Sequence, residues 1–173
     1  MQLDNCFSDS QQNPAFYTFI LEVAKLFDKY KSLVSDAESA ESSMTIYAPS
    51  YGYQSAHDKL QQQRYKAEME KARRMTADTK EQILQRYRDN KKLFMDYQSG
   101  KHEFIGWMAA FGYRAETAGG MKTMGEGLFY LNKDLTEITH RFTDEDLLEI
   151  LDANLDDLRY EYEDELKKIF EEK

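Results

Sequence analysis

Apolar residues recur at steps of three and four positions over residues 14–38, which is the spacing of one face of an α-helix. Asn13 and Pro14 precede this pattern, and they are favoured as the N-cap and as the first helical residue. The sequence therefore predicts an amphipathic helix over 14–38. Its apolar stripe consists of Phe16, Ile20, Val23, Phe27, Tyr30 and Val34, widened by Tyr17, Leu21 and Ala24.

The pattern breaks at residues 40–55 and resumes as a mostly polar helix. Residues 44–53 carry β-prone side chains around Pro49, so we expect a loop or a short hairpin there. Ser55 can cap the next helix. The polar stretch 55–98 has only a thin apolar edge, so it is expected to be one long rod or a helical hairpin, and it could protrude as an arm.

Three segments follow before the C-terminal region. Residues 104–111 are apolar on every face and predict a buried helix. Residues 119–127 hold four glycines in nine positions and predict a flexible link. A further helix is expected from the spacing of Leu128, Leu131, Leu135, Ile138 and Phe142.

Thr143 is expected to cap one long acidic helix over 143–173, with Leu148, Leu151, Leu155 and Leu158 turned towards the core. The pattern as a whole predicts an all-α fold. We expect a single-domain bundle of five or six helices over residues 1–173, with residues 1–12 as a mobile N-terminal arm.

Charge is distributed unevenly along the chain. The formal net charge of −9 is the balance of residues 144–173 alone, which hold thirteen acidic and four basic residues, while residues 59–92 hold eleven basic and five acidic ones. The acidic excess argues against direct binding to nucleic acid or to an anionic membrane. The single cysteine, Cys6, and the absence of a secretory signal pattern predict a cytoplasmic protein.

The motifs of catalysis and metal binding are incomplete. The best near-match is a calcium loop beginning at Asp152, but Asp157 occupies the position where such a loop needs glycine. Glu137 and His140 form one Glu-x-x-His step where di-iron bundles need two. The glycines of 119–127 lack the Gly-Lys-Ser/Thr order of a phosphate-binding loop. The sequence therefore predicts no catalytic residue, no cofactor and no metal.

The charge pattern favours a non-catalytic protein-binding module, such as an inhibitor, an adaptor or an immunity-type protein. Its acidic helix would bind a basic surface of a partner protein, with partial mimicry of a nucleic acid. The alternative is a homo-oligomeric structural subunit in which the acidic helix meets the basic 59–92 region, and an enzyme with an unrecognised site ranks third. The candidate binding residues are Glu145, Glu149, Asp152, Asp156, Asp157, Glu163 and Asp164 on the acidic helix, and Tyr47, Tyr51 and Tyr53 on the 44–53 loop.

Overall fold

Four strands and five helices make up the described part of the chain. A computed structural model describes residues 3–8, 13–49, 52, 54–116, 118–153, 158 and 160–171. In chain order the elements are β1 (Asp4–Phe7), α1 (Pro14–Ile46), α2 (Ala56–Asp89), α3 (Lys91–Gln98), β2 (Phe104–Glu116), β3 (Lys122–Leu131), β4 (Ile138–Thr143), α4 (Asp144–Asp152) and α5 (Glu163–Glu171). The expectation of an all-α helical bundle is therefore wrong, because the chain also forms a β-sheet.

The chain divides into two compact units. The first unit comprises Met1–Ala24 and Arg86–Lys173, and the second comprises Lys25–Gln85. The boundary lies within both long helices, so α1 and α2 each contribute residues to both units. The expectation that residues 1–173 form a single domain stays a prediction.

The four strands form one antiparallel sheet in the order β1-β2-β3-β4. Residues 104–111, which predicted a buried helix, belong instead to β2. The expected flexible link is also wrong in part, because Gly125 and Gly127 lie within β3. Only the start of that segment is a turn, where Gly120 adopts a φ of 76°, a conformation that glycine allows without strain.

The predicted helix over 128–142 is replaced by two strands and a tight turn. Leu128 and Leu131 lie in β3, and Phe142 lies in β4. The side chain of Asn132 holds the turn, because its Oδ1 accepts hydrogen bonds from the backbone N–H groups of Thr136 at 2.9 Å and Glu137 at 3.3 Å. The apolar spacing of this segment thus arises from strand alternation interrupted by a turn.

Within the segment 1–12, which was expected to be a mobile arm, Asp4–Phe7 forms an edge strand of the sheet. Asp4–Phe7 pairs with β2, and Cys6 is only 1% exposed. Gly106 of β2 lies opposite Cys6. On its other side it permits a close approach of β3, since a Cβ at this position would clash with the carbonyl oxygen of Leu131. Residues 1–2 and 9–12 lie outside the described part of the chain, so the expectation for them stays a prediction.

The first turns of α1 contact two different apolar groups within the first unit. Tyr17 and Leu21 belong to the core beneath the sheet. Phe16 and Phe19 face the other way, where Phe94 packs edge-on against both rings at 5.6 and 5.1 Å. The widened stripe of the predicted helix is thus used on both sides. The core beneath the sheet consists of Cys6, Leu21, Met108, Tyr130 and Phe142, with Tyr17, Ile105, Leu128, Leu147 and Ile150 packed against it.

The second unit is an antiparallel pair of helices. The ring of Tyr47 stacks on that of Tyr65 at 5.8 Å, and Glu41 binds Arg73 at 3.0 Å. The earlier residue in α1 thus contacts the later residue in α2, which shows that the two helices run in opposite directions. α1 continues to Ile46, which leaves no hairpin in the described residues of 44–53. α2 is one uninterrupted helix over Ala56–Asp89. It matches the prediction of one long rod over 55–98 as far as Asp89, and α3 covers Lys91–Gln98.

The C-terminal region is not one helix over 143–173. Thr143 does cap α4 as predicted, in a capping box with Asp146. The helix ends at Asp152, since Ala153 is extended with φ −63° and ψ 104°. Leu158, Tyr160 and Glu161 are helical again, and α5 follows at Glu163–Glu171. Across the described residues, every helix falls short of the length or the apolar character that a bilayer crossing requires.

Candidate protein-binding surface

The helix α4 turns a different face towards the core than the leucine pattern predicts. Leu147 and Ile150 pack against the core beneath the sheet. Leu148 and Leu151, which were expected to point inward, are 59% and 80% exposed. The reason is that α4 follows β4 without a linker, so the buried Phe142 and the cap at Thr143 set the rotation of the helix.

Two leucines and three carboxylates share the outer side of α4. Glu145 and Asp152 are exposed and Glu149 is half-buried. These acids follow one another at steps of four and three residues, so they lie on one face of the helix. Leu148 lies between them, and Leu151 flanks them. We call this set of five residues, Glu145, Leu148, Glu149, Leu151 and Asp152, the α4 surface.

The acidic residues of α4 differ in how far local interactions explain them. Asp144 accepts a hydrogen bond from the backbone N–H of Glu126 at 2.8 Å, and Asp146 completes the capping box. Glu145 and Asp152 make no side-chain hydrogen bond or ion pair within the part of the chain that the structure describes. Glu145 lies in the first turn of α4, where its charge favours the helix dipole. Asp152 is also the last residue of α4, where a negative charge opposes the helix dipole by a few tenths of a kcal/mol. Helix stability therefore does not explain Asp152.

The remaining predicted acids do not continue this surface along one helix. Glu163 and Asp164 lie in the first turn of α5, where negative charge favours the helix dipole. The Glu163 carboxylate lies 2.6 Å from the Lys167 ammonium group and raises the pKa of that lysine. Asp156 and Asp157 lie outside the described residues. Local interactions thus account for Glu163 and Asp164, and the single acidic stripe predicted for the helix 143–173 is not formed.

Of the three tyrosines predicted on the 44–53 loop, the structure describes only Tyr47. Its ring is half-buried against Tyr65, and its carbonyl oxygen accepts a hydrogen bond from the Gln54 side chain at 2.7 Å. Tyr51 and Tyr53 lie outside the described residues. The packing of Tyr47 favours a role in holding the two helices of the second unit together.

Some of the basic residues of α2 have partners on α1 that the sequence did not reveal. Arg73 binds Glu41 at 3.0 Å in the second unit, and in the first unit Arg86 binds Glu22 at 3.3 Å. The sequence suggested that acids near residues 59–92 are too few to neutralise its charge, but α1 supplies further acids from a distance along the chain.

A second apolar surface, on the side of the sheet opposite the core, also escaped the sequence interpretation. Phe111 and Phe129 pack edge-on at 6.1 Å, and the Arg141 guanidinium lies 5.5 Å from the centre of the Phe129 ring. Trp107 lies on the same side and donates its indole N–H to the carbonyl oxygen of Lys133 at 3.0 Å. The alternation of these residues with core-facing Met108 and Tyr130 is the signal that could have revealed the strands.

Neither similarity to known proteins nor a cluster of metal-binding side chains points to a further site in the described residues. Searches against protein-family models, curated proteins and solved structures give no match to this chain. Within the described ranges, His, Cys, Asp and Glu side chains do not gather in groups of three or more that could hold a metal ion.

Proposed function

We propose that the protein is a non-catalytic protein-binding module that uses the α4 surface to bind a partner protein with a basic surface. The observation that carries this proposal is the exposure of Leu148 and Leu151 beside Glu145, Glu149 and Asp152. The proposed setting is the cytoplasm, since a chain with one cysteine forms no internal disulfide and is typical of a reducing compartment.

The chemistry of the α4 surface indicates what the partner offers. Two neighbouring exposed leucines need an apolar depression, and burying them there contributes to the affinity. The three carboxylates need basic residues around that depression, which steer the encounter and speed association. The partner surface therefore has an apolar floor and a basic rim, as in a groove that accepts one face of an amphipathic helix.

A binding role also explains why the leucines are tolerated in this position. Burying a leucine side chain contributes about 1.5–3 kcal/mol relative to leaving it exposed. Without a partner, the exposed side chains of Leu148 and Leu151 lack most of this stabilisation. Leu147 and Ile150 obtain part of it because they pack against the core. A partner that covers the α4 surface recovers it.

Two sets of substitutions in the full chain test the proposal. One neutralises the carboxylates, E145Q/E149Q/D152N, and the other shortens the leucines, L148A/L151A. Immobilised protein captures partners from a lysate at low salt, and bound proteins are eluted with a salt gradient or with added DNA. We expect the charge variant to release its partners at a lower salt concentration than the wild type. The leucine variant should capture at least about tenfold less partner protein than the wild type.

A matched control removes the same number of negative charges from residues outside α4. D36N/E38Q/D78N also removes three exposed carboxylates, all in the second unit, and should leave capture unchanged. Circular dichroism checks that all variants are folded. Capture and salt elution identical to wild type in both α4 variants would show that the binding surface lies elsewhere.

A further inference from the structure

The β2–β3 hairpin extends beyond both of the strands that flank it. β1 pairs with β2 only as far as Met108, and β4 pairs with β3 only as far as Gly127. β2 and β3 continue to pair with each other beyond these points. We call this extension, residues 112–116 with 122–126, the distal ribbon. The helix α4 starts beside the distal ribbon, because Thr143, which caps this helix, lies opposite Gly127.

The distal ribbon presents an exposed methionine on the side of the sheet that α4 occupies. Side chains alternate along β3, so Met124 and Glu126 share a face with Leu128, which packs against the core beneath the sheet. The helix α4 lies on this same side, since Leu147 and Ile150 pack against that core. Met124 lies beyond the core and is 77% exposed.

The leucines of the α4 surface lie on the side of the helix that is nearest to the distal ribbon. Asp144, Leu148 and Leu151 follow one another at steps of four and three residues, so they lie on one side of α4. Asp144 accepts the hydrogen bond from the backbone N–H of Glu126, which fixes this side next to β3. Met124 is the next residue beyond Glu126 on that face of β3. Leu148, Leu151 and Met124 therefore border one depression between the helix and the distal ribbon, which we call the ribbon trough.

The charges around the ribbon trough are arranged unevenly. On the α4 side the exposed acids are Glu126, whose side chain shares the face of Met124, and Glu145 and Asp152, which flank the leucines. Arg114 lies opposite Met124 on β2, one strand further from α4. The trough thus has an apolar floor, an acidic rim along α4 and a basic residue at the opposite rim.

We propose that the ribbon trough binds a basic amphipathic helix of the partner protein, an inference that rests on the proposed binding role of the α4 surface. Three exposed apolar side chains match the way in which such helices bind, through anchors at i, i+3 or i+4 and i+7. Leu148 and Leu151 enter the grooves between the apolar ridges of the bound helix. Met124 closes the other side, where its unbranched side chain adapts to the anchor that it meets.

The charges set how the bound helix is oriented about its own axis. Lysines and arginines beside its apolar stripe face Glu126, Glu145 and Asp152, because opposite charges across an interface favour this arrangement. Arg114 disfavours basic residues on the β2 side of the trough. The apolar stripe of the helix and its basic flank are therefore the apolar floor and the basic rim that the α4 surface requires of its partner.

Fluorescence anisotropy with the full chain and a labelled synthetic peptide tests the proposal. The probe is a helix of about eighteen residues, or five turns, with leucines at i, i+3, i+4 and i+7 and lysines at most other positions. One control peptide has the same composition in scrambled order, and a second has glutamate in place of lysine. We expect the probe to bind, and both control peptides to bind at least about tenfold more weakly.

Substitutions on the two sides of the trough locate the bound peptide. M124Q keeps the length of the side chain but removes its apolar character, and it should weaken binding of the probe by at least about fivefold. L148A/L151A should weaken it by at least about tenfold. M121Q is the matched control and should bind like the wild type, because Met121 is also exposed, at 71%, but precedes β3. Circular dichroism checks that all variants are folded.

The outcomes separate this inference from the proposed function. Weaker binding in L148A/L151A with unchanged binding in M124Q would overturn the ribbon trough and leave the α4 surface as the binding site. Absence of binding by the probe, or equal binding of the probe and the scrambled peptide, would overturn the basic amphipathic helix as the ligand. The proposed function fails separately, when the α4 variants capture partners from a lysate as the wild type does.

Discussion

Removing one hydroxyl group from the core of the first unit should make the protein more stable. Tyr130 lies in β3 and is 2% exposed, and its hydroxyl is buried without a hydrogen-bond partner in the described part of the chain. Burial, together with the nearby Tyr17 and Cys6, raises the pKa of this phenol far above its usual range. Tyr130→Phe keeps the ring, which packs edge-on against Phe142 at 5.9 Å, and removes only the oxygen.

The expected gain follows from the hydration that the hydroxyl loses. In the unfolded chain it is hydrogen-bonded to water, and burying it without a partner costs about 1–3 kcal/mol. Phenylalanine has no such group, and the surrounding atoms relax into only part of the vacated space. We therefore expect Tyr130→Phe to raise the free energy of unfolding by about 1 kcal/mol.

Urea denaturation followed by tryptophan fluorescence measures this change. The single tryptophan, Trp107, lies in β2 within the same unit as Tyr130, so it reports on the unit that carries the substitution. Tyr160→Phe serves as a control, since this ring is 85% exposed and the loss of its hydroxyl should change stability by less than about 0.5 kcal/mol. A loss of 1 kcal/mol or more in Tyr130→Phe would refute the reasoning, because it would show that the hydroxyl makes a stabilising hydrogen bond.

Two further predictions concern the ends of the sheet. Burial raises the pKa of the Cys6 thiol from 9.0 to about 11. As the pH rises, this thiol therefore ionises in the unfolded chain before it ionises in the folded protein. Its contribution to stability is complete below pH 9 and is lost as the pH rises towards 11. Urea titrations of wild type and Cys6→Ala should diverge over this interval by an amount on the order of 2–3 kcal/mol, and parallel curves would contradict the shift. Thr143→Ala removes the hydroxyl that accepts from the backbone N–H of Asp146, and thermal unfolding should show a loss of about 1 kcal/mol that Thr143→Ser largely avoids.

The helix starts could be predicted because their signals are local. Asn13 accepts a hydrogen bond from the backbone N–H of Ala15, Ser55 exchanges hydrogen bonds with Asp58, and Thr143 does the same with Asp146. Each of these contacts spans two or three residues, so a short stretch of sequence contains both partners. For that reason the beginnings of α1, α2 and α4 were predicted correctly.

The strands could not be predicted in the same way because their stabilising partners are remote. A run such as 104–111, apolar on both sides, has no period that separates a buried strand from a buried helix. What makes it a strand is pairing with β3 on one edge and with Asp4–Phe7, about one hundred residues earlier, on the other. The spacing of Leu128 and Leu131 fitted a helix only because a turn at Asn132 follows.

The candidate binding residues show the same division. The sequence by itself determined the concentration of acids in the last thirty residues and the presence of an amphipathic helix after Thr143. Only the tertiary structure decided which of two equally spaced apolar pairs, Leu147 with Ile150 or Leu148 with Leu151, faces the core. The rotation of α4 depends on the position of β4 and Phe142 in the sheet, and that position is not encoded locally. Periodicity reports that a helix has an apolar side, but the direction of that side is set by the elements to which the helix is joined.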